Sequence, residues 1–236
     1  YVYPRTTNKI LEAYLKSKGV AEEDIMINYT PFGHSDWQTI VADIKAFGST
    51  GKKTAVVSTI NGDANVPFYK ELGNQGVKAE DIPVVAFSVG EEELAGLDTT
   101  PLVGHLAAWN YFQSADTDAN AEFIEKWQAF TGDENRVTND PMEAHYIGFN
   151  MWVKAVEKAG TTDADAVIDA IIGVSVPNLT GGYAAMMPNH HITKPVLIGW
   201  SDFLPDSKDL IADWRAPMSC GNFNTATGQC GGKGVN

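Results

Sequence analysis

Apolar and polar positions alternate along the first hundred residues in blocks of two kinds. Ala55–Val56–Val57–Ser58–Thr59–Ile60 is apolar and β-branched without strict alternation, the pattern of a parallel strand covered on both faces. Asp24–Phe32 and Pro83–Ser88 read as strands of the same kind. Between them the apolar spacing turns helical. Ile10, Leu11, Tyr14 and Leu15 form one stripe, capped by Thr6 or Thr7 and stopped near Gly19. Trp37, Ile40, Val41, Ile44 and Phe47 form the next, behind Ser35 or Asp36. Pro67–Leu72 follows the strand at 55–60 into a third helix. This βαβαβ order predicts a parallel, doubly wound α/β sheet.

The pattern breaks at 99–115. Leu102–Ala108 fits a short strand and Trp109–Phe112 is densely aromatic. Three helical stretches follow, over Ala119–Phe130, Pro141–Lys158 and Asp163–Ile172, and Lys194–Trp200 is a late strand. The middle helix is apolar over a broad face, which calls for a sheet in a second lobe to cover it.

In open α/β sheets ligands bind outside the carboxyl ends of the strands. Asn61–Gly62–Asp63 sits at such an end, Ser88 and the acidic run Glu91–Glu92–Glu93 at the next, and Tyr1–Val2–Tyr3–Pro4–Arg5 just before the first helix. A tyrosine offers flat apolar area plus a hydroxyl, but it packs equally well as a structural ring. The acidic run fits a solvated helix start, with room for one carboxylate to face a cleft.

Composition narrows the function classes. The 236 residues carry a net charge of -13 and are 44% hydrophobic, which argues against a nucleic-acid binder and suits one or two globular domains. No apolar run approaches the ~20 residues of a membrane helix. The chain opens at Tyr1 rather than Met, directly in a motif, so a preceding portion carrying any targeting segment is expected. Cys220 and Cys230 lie in a Gly-rich loop and read best as a disulfide, which implies an oxidising compartment. Free thiols or half of a metal site are the competing readings.

The chemistry-bearing motifs are mostly absent. There is no GxSxG, Walker loop, GxGxxG or CxxC. His34, His105 and His145 lack i, i+4 ligand partners, and the adjacent His190 and His191 point apart in extended chain, so no metal site is expected. Asp163–Ala164–Asp165 is a helix start, not a calcium loop. No catalytic residue and no cofactor is called for.

Five segments in order, Tyr1–Asn8, Thr59–Asp63, Ala108–Phe112, Asp140–Ala144 and Asn189–His191, resemble urea and short-chain-amide substrate-binding proteins of ABC transporters, a branch of the type I periplasmic binding family related to the Leu/Ile/Val-binding proteins. The resemblance runs from Tyr1 to about Trp200. It implies a two-lobe type I periplasmic binding protein fold with parallel doubly wound sheets, the N-terminal part of the first lobe and the strand ending at Tyr1 being absent from this chain. Residues 1–101 would be the C-terminal ligand-binding lobe, 102–182 the segment returning to the N-terminal lobe, and 183–236 the crossover back with the last strand and the disulfide-bearing tail. The Cys220–Cys230 tail departs from the general family pattern.

The resemblance further implies ligand contacts from Tyr1, Tyr3, Asn61, Asp63, Ser88 and Glu91. Urea has four N–H donors and one acceptor oxygen, so Asp63 and Glu91 would accept while Tyr1, Asn61 or Ser88 donate. The implied partners are a small polar ligand and the membrane permease of an ABC transporter, in the periplasm, without nucleic acid and without membrane insertion. A branched-chain amino-acid binder of the same fold, an amide-sensing regulator and an amide hydrolase using Asp63 or Glu91 as base are the alternatives.

Overall fold

The computed structural model describes residues 1–94 and 98–200, and the backbone of two short strands at 223–224 and 229–230. Seven helices are described: α1 (Val2–Ser17), α2 (Gln38–Gly48), α3 (Asn65–Asn74), α4 (Glu91–Leu94), α5 (Asp118–Thr131), α6 (Asp140–Ala159) and α7 (Ala164–Ile171). The main sheet contains β1 (Val56–Ser58), β2 (Val84–Ala86), β3 (Leu106–Trp109) and β6 (Leu197–Trp200), in the order β1-β2-β3-β6. β1, β2 and β3 run parallel, with Val57 opposite Val85 and Ala86 opposite Ala107. β6 closes the far side antiparallel, Ala107 facing Gly199. A separate ribbon pairs β4 (Ser175–Pro177) with β5 (Tyr183–Ala185).

The β-branched residues that stiffen the strands also fill the core beneath them. Val84 and Ala86 pack in one core with Trp37 just before α2, Val41 and Ile44 from α2, and Phe68, Tyr69 and Leu72 from α3, all buried. Burying a side chain of Leu or Phe size contributes roughly 1.5–3 kcal/mol. The contact is tight enough that a Cβ on Gly48 would lie 2.5 Å from Ile82 Cδ1. His105 joins the strands from inside, its Nδ1 accepting the Val84 N–H at 3.0 Å. Burial pushes that imidazole below its ordinary pKa, so the neutral acceptor form is favoured.

α6 is built by its ends. The Asn139 side chain accepts the Met142 N–H at 3.0 Å, Pro141 sits in the first turn, and Gly160 at φ +67° closes the last turn by donating to Val156 O at 2.8 Å. Its buried Ile147, Met151 and Ala155 meet Val167 of α7 and Val174, Val176 and Ala184 around the ribbon. The cover expected from a second-lobe sheet comes here from one helix and two short strands. Phe149 and Trp152 remain exposed on the same helix, with their rings stacked 5.8 Å apart.

Three elements differ from the sequence reading. The strand expected over Leu102–Ala108 begins only at Leu106, because Thr100–Leu102 is a 3-10 turn and Gly104 at φ +91° breaks the extended chain. α1 begins at Val2 rather than behind Thr6 or Thr7. Pro4 falls in the first turn, where N–H groups have no intrahelical acceptor, so the ring costs nothing and the helix starts before it. Residues 24–32 do not form a strand. Glu22–Asp24 is a 3-10 turn and Ile25 is extended (φ -121°, ψ 115°), but the segment has no ladder partner among the described residues. The Cys220–Cys230 pairing lies outside the described residues.

Leu72 is fully buried beneath the sheet, whereas Phe130 is 83% exposed. Leu72→Ala should lower the unfolding free energy by about 2–5 kcal/mol, and Phe130→Ala by no more than about 0.5 kcal/mol. Urea melts of the two variants check this.

Candidate functional site

Three parallel strands deliver their carboxyl ends to one edge of the sheet, and a cleft of about 420 Å³ opens there. Tyr3 from α1, Asn61 after β1, Ser88 after β2, Trp109 and Asn110 at the end of β3, and Asp140 at the start of α6 line it. Residues more than 130 positions apart thus share one wall.

One buried side chain aligns the first two loops. Asn65 is fully buried at the start of α3. Its amide nitrogen donates to Ile60 O (3.1 Å), Gly62 O (3.2 Å) and Ser88 O (3.3 Å). Those carbonyls belong to the loop bearing Asn61 and to the loop bearing Ser88. A primary amide has only two N–H donors, so three acceptors share them. The clamp holds Ser88 where its Oγ lies 3.2 Å from Tyr3 Oη. Burial raises the Tyr3 pKa, so its hydroxyl stays protonated.

The cleft's carboxylate is Asp140. Its Oδ2 accepts the Asn110 N–H at 2.9 Å, and Asn110 in turn donates to Pro195 O at 2.8 Å. Burial raises the Asp140 pKa, while the charge of Lys194 and the N–H groups of Asn110 and Tyr111 oppose that rise. Lys194 itself is nearly buried in an ion pair with the fully buried Glu143. Among the described residues, none that lines the cleft is a Lys, Arg or His.

The six sequence-derived contact residues divide. Tyr3, Asn61 and Ser88 come together at the cleft. Tyr1 turns to the other side of α1, where its ring stacks on Phe32 at 4.3 Å, and lines a separate groove. Asp63 is exposed on the 3-10 turn Gly62–Ala64. Glu91 is buried, and its Oε1 accepts from Ser114 N (3.1 Å) and Ser114 Oγ (3.2 Å), tying α4 to the loop after β3. Neither Asp63 nor Glu91 lines the cleft.

Asp140, Asn110, Trp109 and Asn65 were given no role from sequence. Asp140 stood in a motif whose only legible physics was a helix start. Asn65 looks like one more polar residue at the head of α3. Among the described residues no three His, Cys, Asp or Glu side chains gather as metal ligands, and no helix is long and apolar enough to cross a membrane.

A largely parallel α/β sheet with a polar, donor-and-acceptor-lined cleft at its strand ends has its candidate ligand site where such sheets bind ligands. The chain belongs to the periplasmic binding protein domain family, whose profile matches residues 1–221. Its fold is of the type I class. An amino acid ABC transporter substrate-binding protein from Pseudomonas fluorescens Pf-5 superposes with a TM-score of 0.77 at 19% identity, over 98% of this chain and 60% of that one. A Rhodopseudomonas palustris HaA2 solute-binding protein in complex with p-hydroxybenzoic acid gives 0.70 at 20% identity, over 89% and 57%. A branched chain amino acid ABC transporter periplasmic ligand-binding protein from Burkholderia xenovorans LB400 gives 0.69 at 17%, over 93% and 56%. This chain therefore spans about 56–60% of these relatives. A curated protein named limonene hydroxylase, from Geobacillus stearothermophilus, is 27% identical over 124 residues, 22% of its own length.

Burial raises the Glu91 carboxyl pKa, with the Ser114 and Gln113 hydrogen bonds opposing it. A carboxyl whose pKa is higher folded than unfolded stabilises the protein fully below the unfolded pKa, and that contribution is lost as pH rises through the folded value. Glu91→Gln should therefore flatten the fall in Tm between about pH 4 and 7 and leave the variant at least as stable as the parent at pH 7. Thermal melts across that range check it.

Proposed function

We propose that the protein is a periplasmic solute-binding component of an ABC transporter whose cleft takes urea or a short-chain amide. The carrying observation is the cleft wall: one carboxylate at Asp140, neutral donors and acceptors at Tyr3, Ser88, Asn61 and Asn110, and no cationic side chain. A donor-rich neutral ligand matches that set. Its N–H groups meet Asp140 and the Asn61 carbonyl, and its oxygen meets the Tyr3 or Ser88 hydroxyl. Hydrogen bonds to a charged group contribute about 1.5–3 kcal/mol. The flat Trp109 ring supplies apolar cover on the same wall.

Nothing in this arrangement breaks a bond. Asp63 and Glu91, the acids considered for a hydrolase, do not line the cleft. Residues 1–101 would form one lobe and 102–182 the return to the other, with 183–236 crossing back. The Glu91–Ser114 hydrogen bonds and the Glu92–Asn139 contact span the two segments. Ligand would close the lobes by hinge motion and present the closed form to the membrane permease.

A second reading is an amino-acid ligand, favoured by the descriptions of the Pseudomonas and Burkholderia neighbours. Asp140 suits an α-ammonium group equally well. The ligand's carboxylate would then need donors other than the side chains that line this cleft.

Calorimetry on the natural polypeptide separates these readings. Heat should appear with urea, acetamide or formamide and not with 4-hydroxybenzoate, and no ammonia should be released. Asp140→Asn should weaken binding by at least about tenfold. Silence with all three amides sinks the amide assignment, and heat with leucine alone selects the second reading.

A further inference from the structure

The polar side chains that line the cleft differ in what they can offer. Tyr3, Thr7, Asn61, Ser88 and Asn110 carry hydroxyls or amides, which donate or accept as a ligand requires. Asp140, once ionised, only accepts. Among the described lining residues, Trp109 alone carries a side-chain group that only donates, its indole N–H. The cleft thus holds one obligate acceptor and one obligate donor, and its other polar side chains adapt to them.

That donor is unspent. Trp37 gives its indole N–H to His34 O at 3.1 Å, and Trp127 buries its own without a partner. Trp109 is half-buried at the end of β3, and its N–H has no acceptor among the described residues, yet unlike that of Trp127 it is not shut in. Gly90 sets the ring's placement. A Cβ there would lie 3.4 Å from Trp109 Cζ3 and 3.6 Å from Cε3, so the six-membered edge of the indole rests on the Gly90 backbone. The Gly90 N–H is fixed in turn by Glu93 Oε2, which accepts it at 2.9 Å. Gly90 borders a small apolar pocket with Leu94 and Phe112 and does not line the cleft. The Cζ3–Cε3 edge lies across the ring system from Nε1. Resting it on Gly90 turns the N–H away from that pocket, toward the cleft that the ring lines.

We propose that the Trp109 indole N–H is the fixed donor of the cleft, and that it selects ligands carrying an oxygen acceptor beside their N–H donors against ligands carrying N–H donors alone. The inference rests on the cleft being a ligand site, as proposed above. Urea and guanidinium show the distinction. Both are planar and nearly the same size, but guanidinium has a third amino group where urea has its oxygen. Asp140 favours the cation. Trp109 opposes it, because a donor facing a donor leaves both unpaired and sets like partial charges against each other. A site built to hydrogen-bond one group rejects the analogue lacking it far more strongly than size alone allows. An amide oxygen has two lone pairs, so it takes the Trp109 N–H alongside the Tyr3 or Ser88 hydroxyl. An amino acid's carboxylate offers the same acceptor, so the assignment holds for either class of ligand.

Calorimetry and the tryptophan indole N–H resonances of the natural polypeptide test this together. Acetamide or urea should move the Trp109 indole proton downfield and leave that of the exposed Trp152 unchanged. Guanidinium should bind at least about tenfold more weakly than urea. Trp109→Phe, which keeps a ring, should lower that preference at least about tenfold, whereas Trp152→Phe should keep it. Amide heat with a stationary Trp109 resonance overturns the donor assignment and leaves the amide reading standing. So does an unchanged urea preference in Trp109→Phe. If the amides are silent and leucine gives heat, the amide reading falls, and the Trp109 resonance should then move with leucine; a stationary resonance there overturns the donor assignment too. Silence with every ligand overturns both. The resonance is read on the parent, so it decides alone if the Phe variant fails to fold.

Discussion

The Asn65 side-chain amide is the constraint on which the rest of the site depends. Its nitrogen reaches three backbone carbonyls from two consecutive strand-to-helix loops. Backbone carbonyls buried at a loop need partners, and leaving one unmade costs about 1–3 kcal/mol. A single side chain therefore satisfies both loops and fixes their separation. The placement of Ser88 follows from that clamp, the Tyr3 contact follows from Ser88, and α1 is anchored at the cleft by Tyr3. The Asn65 Oδ1 is buried without a hydrogen-bond partner. The three donor contacts offset that penalty and tie the two loops together.

The opposite wall is organised by buried charge. Asp140 accepts from the Asn110 backbone, and Glu143, one turn along α6, pairs with Lys194 near β6. Removing one partner of a buried pair exposes the other to an uncompensated desolvation cost. α6 is thereby locked against the chain that enters β6, and Asp140 is presented at a fixed point of the cleft. The two walls differ in character: a neutral amide clamp sets one and an ion pair sets the other. The proposed ligand recognition draws on both.

Much of the fold was legible because local signals agreed with each other. β1 and β2 announced themselves as β-branched runs, and α5, α6 and α7 by apolar residues at helical spacing, with Pro141 and Asp163 marking two of the starts. The cleft's position followed from strand ends alone. What stayed hidden depends on distant chain. Residues 24–32 have strand composition, but a strand exists only with a neighbour to pair with. The ribbon of β4 and β5 consists of three-residue strands joined through Gly181 and Gly182, too short for any periodicity. Among acceptors, Asp63 was conspicuous by its loop and Asp140 was not, yet Asp140 faces the cleft. Nothing local distinguishes a helix-starting aspartate that points at solvent from one that lines a cleft.

We propose that Tyr3, Asn61, Ser88 and Asp140 form one recognition surface. A hydrogen-exchange footprint of the natural polypeptide with and without saturating acetamide tests it most directly. The account predicts slowed exchange at 61–65, 88–91, 109–111 and 140–143, with the face of α6 and α7 remote from the cleft unchanged. Acetamide binding that protects other segments and leaves these four unaltered would contradict it.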